Sequence, residues 1–163
     1  MADTFVVSPV VFFCVLAAGV MLMVGLLTGT WKFFQMWRSE NGLAHPYVDI
    51  AHRASLLYSF ACLVLAALAG FSVLSETANF YAVIFPIAYF YLAVGSYVLQ
   101  GALNGPDNQL KRPHRMGPFA MPRALLGLFM GSLVAAEIGG VAVLIAGVFN
   151  NSMVSNLLMR ISL

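Results

Sequence analysis

Charge is what this chain has least of. Only 9% of its 163 residues are Asp, Glu, Lys or Arg, against the quarter or so that a soluble domain carries, while 61% are hydrophobic. An ordinary water-soluble enzyme or signalling domain is therefore excluded. Cysteine is nearly as scarce: Cys14 and Cys62 both fall inside apolar runs, where a thiol packs as a small hydrophobe, so neither a disulfide framework nor a cysteine metal site is expected. A third absence is period-two alternation. Runs such as 63–69 are apolar on every face, which rules against a transmembrane β-barrel. No glycine-rich phosphate loop, nucleophile triad or nucleic-acid-binding module is present, and no nucleic-acid partner is expected.

What the chain has instead is four long apolar stretches, roughly Pro9 to Trp31 (the helix continuing to about Trp37), Ile50 to Leu74, Phe80 to Leu103 and Pro122 to Phe149. Each meets the requirement of about 20 helical residues for crossing a hydrocarbon core. The fold class is all-α, a polytopic membrane protein built as one antiparallel bundle of four transmembrane helices over 1–163. The first stretch has no basic region before it and runs on for more than 20 apolar residues, so it reads as a retained helix.

The few charges are placed unevenly. Lys32, Arg38 and Arg53 flank the first connection, and Lys111, Arg112, Arg115 and Arg123 flank the third. By the positive-inside rule both connections face the cytoplasm, both termini face away from it, and the chain is a multi-pass protein of the cell (inner) membrane in contact with lipid. All three histidines then share one side. Trp31, Trp37 and Lys32 mark that interface.

The polar residues concentrate between His45 and Ser59. Pro46 is expected to keep a helix from running through His45, and Asp49 to cap the second helix, with His52 and Arg53 in its first turn. At about 100° per residue His52, Ser55, Ser59 and Cys62 fall on one face, which should meet protein or water, and Tyr58 lies to the side. Tyr89, Ala93, Ser96, Tyr97, Gln100 and Asn104 form a second polar arc on the third helix, past an expected kink at Pro86. The third connection, 104–121, carries three prolines and cannot be helical throughout; it is expected to fold over the mouth of the bundle.

Small residues repeat every four positions at Gly127, Gly131, Ala135 and Gly139, a close-packing seam for the bundle or for another subunit, and Gly25 and Gly29 form a shorter one read as packing only. Glu137 sits near the middle of the fourth helix, where a carboxylate is costly. The topology sets it well away from His52. Past Asn150, Met153, Val154, Leu157, Leu158 and Ile161 are spaced for a short surface helix over 150–163.

His52 reads either as a metal or haem-iron ligand, with Asp49 as its orienting acceptor, or as a helix-start histidine bonded to a loop carbonyl. Arg53 and Arg123 read as partners of haem propionates or as snorkelling anchors, Arg53 also as an i, i+4 partner of Asp49. Tyr97 shares its arc with Ser96 and Gln100 at the depth of His52, so its hydroxyl is placed to reach a reacting oxygen. His52, Tyr97, Gln100 and Arg123 are expected to converge at one mouth, whereas His45 and His114 belong to loops.

From about Gly25 to Gly147 the order of features resembles the small four-helix membrane isomerases typified by styrene oxide isomerase, with hydroxylaminobenzene mutase more distant. The resemblance rests on Ala51-His52 opening the second helix, Ser96-Tyr97-Val98-Leu99 near the end of the third, and the loop Asn104-Gly105-Pro106-Asp107-Asn108-Gln109 before the fourth. It implies a homotrimer holding haem b between subunits, with His52 as axial ligand and Tyr97 close to the open face of the iron. It implies that an epoxide entering from the bilayer is isomerised to a carbonyl compound; Arg53, Arg123 and Gln100 are the candidates for holding such a cofactor. Tyr58 stands where the styrene oxide enzymes have an asparagine facing the substrate, which makes it the second candidate catalytic residue. A reading from another class competes: a non-catalytic transmembrane subunit packed inside a larger membrane complex through Gly25, Gly29 and the seam of the fourth helix.

Overall fold

The structure, a computed structural model, describes residues 8–108, 110–153 and 156. It consists of four helices, α1 (Pro9–Arg38), α2 (Pro46–Phe71), α3 (Glu76–Ala102) and α4 (Arg123–Phe149), with a two-stranded hairpin, β1 (Arg115–Met116) and β2 (Phe119–Ala120), before α4. Helices of 26 to 30 residues rise about 40 Å or more, and all four are long and apolar enough to cross a membrane. The expected all-α, four-helix architecture is the one observed. Most of the amphipathic tail lies outside the described residues.

Three of the four helices start where a side chain relieves the first turn. Ser8 accepts from the Val10 N–H ahead of Pro9, and Ser75 accepts from Ala78 N–H. The second helix departs from expectation. It begins at Pro46, not at Ile50, because Pro46 occupies the first helical position and His45 is the cap, its Nδ1 accepting from Tyr47 N–H at 3.2 Å. With that nitrogen an acceptor, the other ring nitrogen must be the donor, and Nε2 donates to Gly105 O at 3.1 Å. The first connection is thereby tied to the third.

The exit of α3 is equally specific. Asn104 adopts φ 47°, and Gly105 N–H returns to Gln100 O at 2.8 Å, the six-to-one bond of a Schellman ending. Pro86 lies inside α3 and has no N–H for the carbonyl of Ala82. Gly140 of α4 packs onto that site: an added Cβ would fall 2.4 Å from Ala82 O and 2.6 Å from the Pro86 ring.

At the opposite end the Ser72–Ser75 turn holds the end of α4. Val73 N–H donates to Gly147 O at 3.2 Å, and Asn151 Nδ2 donates to Phe71 O at 2.9 Å. The core is a thin apolar column of Cys14, Met21, Cys62, Leu65, Val83 and Leu144, each at most 2% exposed. Large apolar side chains such as Phe12, Leu27, Leu57, Phe60, Leu128 and Ile138 point outward, as lipid-facing residues must. Helix α4 is the least covered: only Leu126, Leu144 and Gly147 of its residues are buried.

Candidate functional site

The polar stripe of α2 faces α1. Ser55 and Cys62 are fully buried and Ser59 nearly so, and the serine hydroxyls donate to carbonyls of their own helix, Ser55 to Ala51 O at 2.6 Å and Ser59 to Leu56 O at 2.7 Å. The stripe is a packing seam of small side chains with satisfied polar atoms. Opposite it lies Gly25, whose missing side chain admits Ser55 and Leu56.

His52 ends this seam, and α1 is shaped around its ring. An added Cβ on Gly29 would fall 2.7 Å from Cε1 and 2.8 Å from Nδ1, so the imidazole lies against bare glycine. Its Nδ1 is 2.8 Å from Gly25 O. A carbonyl only accepts, so Nδ1 carries the proton, and in the neutral ring the lone pair then resides on Nε2. Among the described residues Nε2 has no hydrogen-bond partner, and the side chain is half-buried. Gly25 and Gly29 are therefore more than a packing pair: one supplies the acceptor and the other the space that fix this histidine.

Asp49 does neither of the tasks expected of it. It does not cap α2, and its two oxygens pair with cations: Oδ1 with Lys32 Nζ at 2.6 Å, joining α1 to α2, and Oδ2 with Arg53 at 2.7 Å. The orienting partner of His52 is the Gly25 carbonyl instead. Arg53, 65% exposed at its side chain, takes the i, i+4 pairing.

The other candidates gather elsewhere. Tyr47 and Tyr58 lie eleven residues apart, about 20° on the helical wheel, while His52 is turned 120° to 140° away from both. Tyr58 stacks on Phe90 of α3, ring centroids 4.4 Å apart at 11°. Tyr97 stacks on Tyr47 at 6.0 Å, and Tyr47 in turn on His45 at 6.1 Å. Neither Tyr58 nor Tyr97 has a hydrogen-bonded hydroxyl among the described residues. Glu137 of α4 has its Oε1 buried with no hydrogen-bond partner among the described residues.

Gln100 is fully buried and its amide is engaged on both sides. Nε2 donates to Arg115 O at 2.9 Å, and Oε1 accepts from Gly117 N–H at 2.8 Å. It pins the hairpin under which α3 ends, and so positions a loop. Arg123 is the exposed first residue of α4. His52 thus does not share one mouth with Tyr97 and Gln100 within a single chain: His52 stands on the α1 side, and Tyr97 and Gln100 belong to the α2, α3 and hairpin side. The signal for the seat of His52 was present in the Gly25 and Gly29 spacing, but a backbone carbonyl acceptor has no signature in sequence.

Among the described residues no three His, Cys, Asp or Glu side chains gather to hold a bare metal ion. A single imidazole with a free Nε2 and an anchored Nδ1–H is instead the donor arrangement suited to an iron already held by a macrocycle, which takes one protein ligand from this side. Comparison with family models, with curated proteins and with solved structures gives no match for the chain.

Proposed function

We propose that this chain is a haem b-dependent membrane isomerase acting on a small apolar substrate drawn from the bilayer, with His52 Nε2 as the axial ligand. The observation that carries the reading is the 2.8 Å bond from His52 Nδ1–H to Gly25 O, which fixes the tautomer and aims the ring. Ferric haem, when bound, supplies a Lewis acid able to polarise an epoxide oxygen on the way to a carbonyl product. The chain's own work is to hold it. Gly29 seats the ring, and Arg53, the exposed cation one residue on, would exchange its Asp49 partner for a propionate.

Tyr97 and Tyr58 are the proposed hydroxyl donors to the reacting oxygen. Their hydroxyls are uncommitted, and they lie on the opposite flank of α2 from His52. In this reading the assembly is a homo-oligomer, a trimer by the resemblance, in which the His52 face of one copy meets a neighbour. The open seam favours it: added Cβ atoms on Gly127, Gly131 and Gly139 meet nothing within 4 Å, so the seam is not used inside the chain. The basic residues around the first and third connections support a cytoplasmic position for both, in the inner cell membrane.

The test is the absorption spectrum of detergent-purified protein with and without dithionite, beside its iron content and its mass. A Soret band that His52→Ala removes, from an oligomer that converts a small aryl epoxide, is the expected result. A colourless, iron-free chain that co-purifies with other membrane subunits and turns over no epoxide would instead establish the competing non-catalytic role.

A further inference from the structure

Away from His52, the cytoplasm-proximal halves of α3 and α4 do not close on each other. They leave a cavity of about 300 Å³, at the small end of the roughly 300 to 1,000 Å³ typical of ligand pockets. Its walls are Leu92 and Ser96 of α3, Leu125, Leu126 and Phe129 of α4, and Met116 and Met121 from the hairpin that roofs it. Ser96 is the single polar lining residue, and its hydroxyl already donates to Ala93 O at 2.7 Å. Nothing in this lining selects a polar ligand.

The rim is the opposite. Arg115 precedes Met116 in the roof, and Arg123 lies between Met121 and Leu125, so two exposed cations border the lining residues in the chain, with Lys111 and Arg112 further out. Among the described residues both ion pairs are made by Asp49, far along the chain, and no carboxylate neutralises Arg115 or Arg123. Phe119 and Leu110, 67% and 55% exposed, stand among these cations, the mixture of apolar and basic side chains that settles at a headgroup boundary. The roof is held in place, since Gln100 grips both Arg115 and Gly117.

We propose that this chamber is a binding site for an anionic phospholipid, one acyl chain lying between Leu92 and Phe129 under the hairpin and the phosphate meeting Arg115 and Arg123. An apolar slot with an unneutralised basic rim matches the two ends of such a lipid, and the headgroup cation of a zwitterionic one weakens its attraction to the same rim. The site is independent of the haem reading.

The test uses the full chain in mixed micelles with equal mole fractions of phosphatidylglycerol and phosphatidylcholine, the retained lipid being counted by native mass spectrometry. The expected result is at least tenfold preference for phosphatidylglycerol, falling about fivefold for each of Arg115→Gln and Arg123→Gln. Leu92→Trp and Leu125→Trp, which fill the slot from two exposed positions, lower retention while helix content is kept. Glycerol phosphate, which has no chains, does not compete, and His52→Ala leaves lipid retention unchanged. Equal retention of both lipids overturns the proposal. So does a selectivity that depends on the arginines but ignores both tryptophans, which would reduce the site to surface charge, and so does exclusion of lipid by a second copy of the chain on this face.

Discussion

Helices α1 and α2 meet along a line of glycine and serine whose polar atoms are satisfied and whose end is closed by a salt bridge between Lys32 and Asp49. Helices α3 and α4 meet around a proline, a carbonyl deprived of its usual partner, a buried carboxyl oxygen with no hydrogen bond and a cavity. The first pair is a finished interface, and the second is an unfinished one. A finished interface is what holds a side chain in one orientation, as it does His52. An unfinished one in a membrane needs lipid or another copy to cover it, and α4, with three buried residues, is the helix left waiting.

Five substitutions break or sharpen this contrast, in decreasing order of expected effect. Gln100→Leu removes the amide that satisfies Arg115 O and Gly117 N–H, leaving two backbone groups without partners at about 1 to 3 kcal/mol each. Chemical unfolding in detergent should register most of that loss, and limited proteolysis should open the 104–122 loop. Gly140→Val drives a side chain into the Ala82 carbonyl and the Pro86 ring, neither of which can swing aside, at a cost of about 1 to 3 kcal/mol. The same change at Gly131, where an added Cβ meets nothing, should leave the single-chain fold intact and reduce the oligomer on a sizing column.

Gly29→Ala tests the finished half. Its methyl displaces the His52 ring and breaks the bond to Gly25 O, so haem affinity should fall 10- to 100-fold with little change in helix content, read by haem titration. Asp49→Asn should matter least. The side chains of the Lys32 and Asp49 pair are about 30% exposed, and exposed pairs contribute at most about 1 kcal/mol, reduced further by salt. A shift in unfolding midpoint larger at low salt than at high salt would check it.

The four helices were legible because length and apolarity are properties of a stretch, and a membrane leaves no other way to satisfy its backbone. Their starts were less so. Pro46 does keep the helix from running through His45, but it also takes the first helical position itself, and a histidine is an uncommon cap, so α2 gains a turn that Asp49 was expected to begin. His52 was visible as an isolated imidazole at the edge of a polar face. Its orientation was not, because the partner is a main-chain carbonyl 27 residues away, and the expected partner Asp49 was drawn off by Lys32. Gln100 had the composition of a ligand contact, and only the return of the loop over α3 gives its amide two backbone partners. The convergence of His52 with Tyr97 and Gln100 fails on rotation about α2, because the helix to which each face turns has no signature in sequence.

The central claim, that His52 Nε2 is an axial ligand held ready by α1, meets its most direct test in the Soret region. Purified protein, His52→Ala, Gly29→Ala and the open-face control Gly131→Ala should be recorded side by side before and after dithionite. The account predicts a band that shifts on reduction in the unsubstituted protein and in Gly131→Ala, weakens in Gly29→Ala and vanishes in His52→Ala. A band of equal strength in all four, or in none, would contradict it.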